Sequence, residues 1–137
     1  QSELTEDIAN LVEMFCDLFG PKRIGLRLAI LDRAMCPRFH VDRVPCRLVT
    51  TYYGLATEWL PHAAVDRNHL GAVNAGNDDA ETGLFGHQSE IQQLASGNVA
   101  VLKGELWEGN ENAGLVHRSP VVGSAANRLL LSIDFCD

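Results

Sequence analysis

Apolar residues return at helical spacing near the start of the chain, at Ile8, Leu11, Val12, Phe15, Leu18 and Phe19. Thr5 offers a capping hydroxyl ahead of them, Glu6 and Asp7 suit the positive end of the helix dipole, and Gly20-Pro21 stops the run. The pattern predicts an amphipathic helix over 5–19, packed on the outside of a sheet. From Ile24 the period changes to two, with Leu26, Leu28 and Ile30 alternating with Gly25, Arg27 and Ala29, as in a half-buried strand. A second strand over 47–53 is set off by Pro45. Residues 54–61 turn and resume an extended form, 91–95 read as a helical turn, and 99–102 and 114–117 as strands. The last strand, 128–135, alternates strongly: Leu129, Leu131, Ile133 and Phe135 share one face, and Arg128, Leu130, Ser132 and Asp134 the other. Ser96-Gly97-Asn98 and Gly109-Asn110-Glu111-Asn112 are turns. One helix followed by many short strands predicts a mainly β, α+β fold, a small barrel or jelly roll with its core over 24–136.

Residues 62–90 break this rhythm. Asn, Gly, Asp, Ala and His dominate, five acids face one arginine, and no period lasts. A structureless loop of that length in a compact domain is either functional, for example a lid, or disordered.

Composition narrows the classes. At 137 residues the chain fits a single domain, 1–137. A net charge of −7 argues against attraction to nucleic acid or anionic membrane, and no apolar run approaches a membrane span. Cys16, Cys36, Cys46 and Cys136 are too scattered for a disulfide scaffold, which makes the cytoplasm the default compartment. The first residue is Gln rather than Met, leaving upstream residues open, and the oligomeric state is open too.

The chemistry centres on His40-Val41-Asp42. In extended backbone, residues i and i+2 share a face, so an imidazole and a carboxylate converge there. His117, in a strand-like context downstream, offers a third ligand. Two histidines and a carboxylate with positions left open suit non-haem ferrous iron. The bland alternative is that His40 and Asp42 hydrogen-bond one another and His117 lies at the surface. Cys36 and Cys46 bracket the pair, and with His40 and His117 they form a rival tetrahedral zinc site or simply sit beside the metal. Thr50 and Tyr52 share a face of the neighbouring strand, where either donates to a bound acid or packs in the core. His62, His69 and His87 in the loop bind a second metal or are solvated.

Together these residues resemble the double-stranded β-helix of the 2-oxoglutarate- and iron-dependent dioxygenases, in particular the prolyl-hydroxylase branch. The likeness runs through His40-Val41-Asp42, Thr50-Thr51-Tyr52-Tyr53, Gly54, Thr57, Leu60-Pro61, Gly97-Asn98-Val99-Ala100-Val101, then His117, Pro120, Val121, Gly123 and Arg128. The resemblance implies that His40, Asp42 and His117 hold Fe(II) and that Arg128 binds the far carboxylate of 2-oxoglutarate, with Arg38, Arg47 and Arg118 as competitors. Gly54-Leu55 departs from the Gly-Gly of that branch. A closer likeness, through Cys36–His40, Glu58-Trp59-Leu60-Pro61, Leu102–Glu105 and His117–Pro120, is to a bacterial domain-of-unknown-function family sometimes associated with zinc-homeostasis genes. It implies metal binding without naming the metal. The expected function is a metal-dependent, dioxygenase-like protein; the alternative is a non-enzymatic Zn(II)-binding protein.

Overall fold

The computed structural model describes residues 2–71, 79–122 and 127–136. The first helix, α1, spans Glu3–Phe19. Ser2 is its cap: the Ser2 hydroxyl accepts from the Thr5 N–H at 3.1 Å, so the helix starts ahead of the expected Thr5 cap. Gly20 closes it in the left-handed region, φ 60°, with its N–H donating to the Cys16 carbonyl.

Seven strands follow: β1 (Ile24–Leu31), β2 (Cys46–Tyr53), β3 (Glu58–Leu60), β4 (Gln92–Gln93), β5 (Val99–Lys103), β6 (Val116–Arg118) and β7 (Arg128–Phe135). They build two antiparallel sheets, one ordered β1-β7-β2-β5 and the other β4-β3-β6. The result is a mixed α+β fold that is mostly β. No helix among the described residues is long and apolar enough to cross a membrane. The expected helical turn at 91–95 is instead a short 3-10 turn, Gln88–Glu90, leading into β4.

Alternation along the strands sorts side chains into three apolar groups. On one face of the large sheet, Leu11 and Phe15 of α1 pack on Cys46, Leu48, Leu131 and Ile133. On its other face, Val49, Leu102 and Leu130 meet Leu94 and Leu115. A third group, Phe39, Leu60, Leu84, Phe85 and Val116, lies where the small sheet meets the segment after it. That segment, expected to lack structure, forms short 3-10 turns in its described parts, 62–71 and 79–90, and buries Leu84, Phe85 and Asp79. Residues 72–78 and Gly123 lie outside the described residues.

One apolar stripe departs from expectation. Leu26, Leu28 and Ile30 pair with Ile133, Leu131 and Leu129 on β7, yet they are 46%, 42% and 75% exposed. β1 is the sheet's edge, and α1 sits over the β2–β7 centre, so these residues share the helix-covered face but lie at an edge that the helix leaves exposed.

Two glycines position the site by close approach. Gly54, at φ 89°, carries no Cβ where one would lie 2.5 Å from the Asn127 carbonyl oxygen, at the start of β7. Gly104 lies against the carbonyls of Asp42 and Val44, and the N–H groups of Gly104, Glu105 and Leu106 donate to Pro45, Asp42 and Val44.

Candidate metal centre

Backbone pairing brings the three candidate ligands together. His40 and His117 exchange two hydrogen bonds of 3.0 Å, N–H to carbonyl in both directions, forming an isolated antiparallel bridge. Residues paired in this way project to the same side. Asp42 follows His40 by two and reaches the same point. Gly104 to Leu106 tie down the backbone just after it.

Asp42 is 8% exposed and His117 7%. Nε2 of His117 lies 3.3 Å from Asp42 Oδ2, and Nε2 of His40 lies 3.6 Å from Oδ1. The imidazole centroids are 4.5 Å apart. Each histidine turns its other nitrogen onto a carbonyl two residues back: His40 Nδ1 to Arg38 at 2.8 Å and His117 Nδ1 to Leu115 at 2.9 Å. A carbonyl only accepts, so both Nδ1 atoms carry the proton and both Nε2 atoms hold a lone pair.

Those lone pairs face a carboxylate. Asp42 Oδ2 is buried and has no hydrogen-bond partner, despite the short approach of His117. Burial opposes ionisation of Asp42, but the neighbouring His117, Arg47 and His40 outweigh it and lower its pKa. Burial lowers the pKa of His40; the hydrogen bond to the Arg38 carbonyl resists, and the adjacent His117 pushes it down further. An anionic oxygen with no donor, facing two Nε2 lone pairs, calls for a cation. Ligands about 2.1 Å from a common ion stand roughly 3.0–3.5 Å apart for angles between 90° and tetrahedral, close to the separations found here. The three donor atoms lie within 4.8 Å of one another. The residues fit a divalent metal, with positions left for other ligands.

Arg47 braces the carboxylate. Its Nη1 stands 3.1 Å from Asp42 Oδ1, and its Nε donates to Asp134 at 2.7 Å. Oδ1 is thereby occupied, and Oδ2 remains for an ion.

The family model described as "Protein of unknown function (DUF1826)" matches residues 1–134. The chain belongs to this family. No curated protein and no solved structure matches it.

The remaining site residues of this DUF1826 domain fall on two sides of the large sheet. Arg128 lines a cleft together with His40, His117, Arg47 and Thr57. It is 2% exposed, and its guanidinium donates to the hydroxyls of Thr51 (3.1 and 3.3 Å) and Thr57 (2.8 Å). No carboxylate among the described residues pairs with it. Its competitors all have one: Arg38 stands near Asp79, Arg47 near Asp42 and Asp134, and Arg118 near Glu58 and Asp79. Arg118 also covers the Phe39 ring, 4.2 Å from its centroid.

Thr50 and Tyr52 lie on the opposite face. Thr50 pairs with Leu131, which packs under α1, and Tyr52 donates to Asp7 of that helix. The structure does not bring them to the triad. Thr51, one residue out of phase, is the threonine of this pair that meets Arg128, accepting from its guanidinium. Cys46 is likewise under α1, where burial and the Asp134 charge raise its thiol pKa, so it is not brought beside Cys36. Cys36 does line the Arg128 cleft, its N–H and carbonyl tied to Ser119. The spacing-based reading missed Thr51, the bracing role of Arg47, and Asp79, which is buried and accepts from the Phe39 N–H and Arg118. Thr51 is singled out only by the β2–β7 register, which sets it opposite Leu130 on the face of Arg128; nothing in the sequence pointed to Asp79.

Proposed function

We propose that this protein holds one Fe(II) ion on His40, Asp42 and His117 and oxidises a small substrate with 2-oxoglutarate as co-substrate. The observation that carries this reading is the unpartnered Oδ2 of Asp42 among two imidazole nitrogens whose protons are engaged elsewhere. Bound ferrous iron would supply the coupling of dioxygen reduction to decarboxylation of the 2-oxo acid. The chain supplies position and charge. Arg128 presents a guanidinium without an acidic partner to a co-substrate carboxylate, and Thr51 and Thr57 fix its plane. Val49, Leu102 and Leu130 give the cleft a dry wall, which strengthens that interaction.

Strand order supports the finer fold. Counting the His40 segment as a strand makes eight in chain order, running 1-8-3-6 in one sheet and 5-4-7-2 in the other, as in a jelly roll or double-stranded β-helix. Aerobic incubation with Fe(II), ascorbate and 2-oxoglutarate is expected to yield succinate well above a His40→Ala control. Succinate at the control level would refute the enzymatic reading.

A second reading, Zn(II) binding without catalysis, draws on Cys36, a thiol lining the same cleft as both histidines. It has no need of Arg128. Under it, Arg128→Ala changes no ligand affinity; under the first, Arg128→Ala keeps the metal and loses 2-oxoglutarate.

A further inference from the structure

His40 also borders a second cleft, whose walls include Arg67, Glu105 and Asn112. Arg67 opens the turn Arg67–His69, and its Nη2 donates to the Gly114 carbonyl at 2.9 Å and meets His62 Nδ1 at 2.9 Å. Its Nε and Nη1 are buried with no hydrogen-bond partner. A guanidinium carries five N–H bonds, one on Nε and two on each Nη, so three are without an acceptor. Leaving such donors unmet is costly, more so for a charged group. Beside the orphaned oxygen of Asp42, these are the only buried side-chain polar atoms without partners among the described residues. Among the described residues, His62 and the Gly114 carbonyl are the hydrogen-bond partners of its side chain.

Glu105 faces the same cleft. Its backbone N–H donates to Asp42, and its Cγ packs against Gly114, while its carboxylate takes no hydrogen bond among the described residues. Burial lowers the Arg67 pKa and the Glu105 charge counters that, so each side chain feels the other. They stop short of an ion pair. An anion alone would satisfy Arg67 but bring like charge toward Glu105, and a cation alone would do the reverse. A molecule carrying both charges on neighbouring atoms satisfies both through charge-assisted hydrogen bonds of about 2.8 Å.

We infer that the cleft shared by His40, Arg67, Glu105 and Asn112 binds a small zwitterion, an α-amino acid or a molecule ending in one, with its carboxylate on Arg67 and its ammonium on Glu105. Asn112 lines the same cleft, and its amide can donate or accept. Binding stands on the cleft alone. Its tie to chemistry at His40 rests on the metal reading and makes the zwitterion the substrate to be oxidised.

The test is an NMR titration of the metal-free full chain with glycine, acetate and methylammonium, followed at the Arg67 Nε–H and the Asn112 and Gly114 amides. Glycine is expected to shift all three saturably and to bind about tenfold more tightly than either single-charge probe, the size of one charged hydrogen bond. Arg67→Met should abolish glycine and acetate binding. Glu105→Gln should reduce glycine to the affinity of acetate, and it provides the test if Arg67→Met does not fold. Acetate binding as tightly as glycine, or no saturable shift, would overturn the inference. A Zn(II) titration of the same sample separates the two ideas. Metal binding without glycine binding sinks only the zwitterion site, and glycine binding without metal binding sinks only the triad.

Discussion

The two faces of the β1-β7-β2-β5 sheet come from the same strands and differ by one residue of phase. Under α1, Leu48, Leu131 and Ile133 meet Leu11 and Phe15, and the rings of Phe15, Phe19 and Phe135 pack at tilted or edge angles. Across the sheet, Arg47, Arg128 and Ser132 share a cleft with Val49 and Leu130 and look toward the histidines. One face keeps the chain folded. The other keeps the Arg128 guanidinium dry and without an acidic partner, which suits binding better than stability.

That division can be broken at either face. The largest effect is expected from Asp42→Asn, which leaves the helix face untouched and should weaken Zn(II) or Co(II) binding by well over about 100-fold, beyond the loss from outer-shell changes. Competition with a chelator measures it. Leu131→Ala should act in reverse, lowering unfolding free energy by about 2–5 kcal/mol in urea while metal affinity of the folded protein stays within about twofold. Arg47→Met removes the brace on Asp42 Oδ1 and should cost about 10–100-fold in metal affinity.

Parity itself can be tested with paired substitutions. Thr51→Val should weaken 2-oxoglutarate binding about fivefold by removing an acceptor from buried Arg128, whereas Thr50→Val should leave it unchanged. The smallest effect belongs to Tyr52→Phe, which loses the bond to Asp7 and about 0.5–1 kcal/mol. Burial, that bond and the Asp7 charge raise the Tyr52 pKa above its ordinary 10.0. The folded state therefore holds the phenolic proton more tightly, so the contribution is full below pH 10 and declines above it. Thermal melts of both proteins should converge as pH rises beyond that point.

Much of this was readable in the chain, and the failures share a cause. The helix, the two faces of β7 and the convergence of His40 with Asp42 follow from periods of 3.6 and 2. His117 was readable as a ligand type, but only backbone pairing with His40 shows it on the same side. Thr50 and Thr51 are chemically alike, so composition cannot choose between them; the partner strand does, and a slip of one residue reverses the face. Leu26, Leu28 and Ile30 alternate as a covered strand would, yet coverage depends on where α1 crosses. Asp79 lies within a stretch with no period at all, and its role comes from long-range bonds to Phe39 and Arg118.

The most direct test of the central claim is proton NMR of the Co(II)-loaded protein. Both imidazoles hold their proton on Nδ1 against a carbonyl and turn Nε2 to the ion, so the account predicts two exchangeable, hyperfine-shifted imidazole N–H signals, one of which vanishes in His117→Ala. A spectrum without such signals, or Co(II) binding unchanged by His117→Ala, would contradict it.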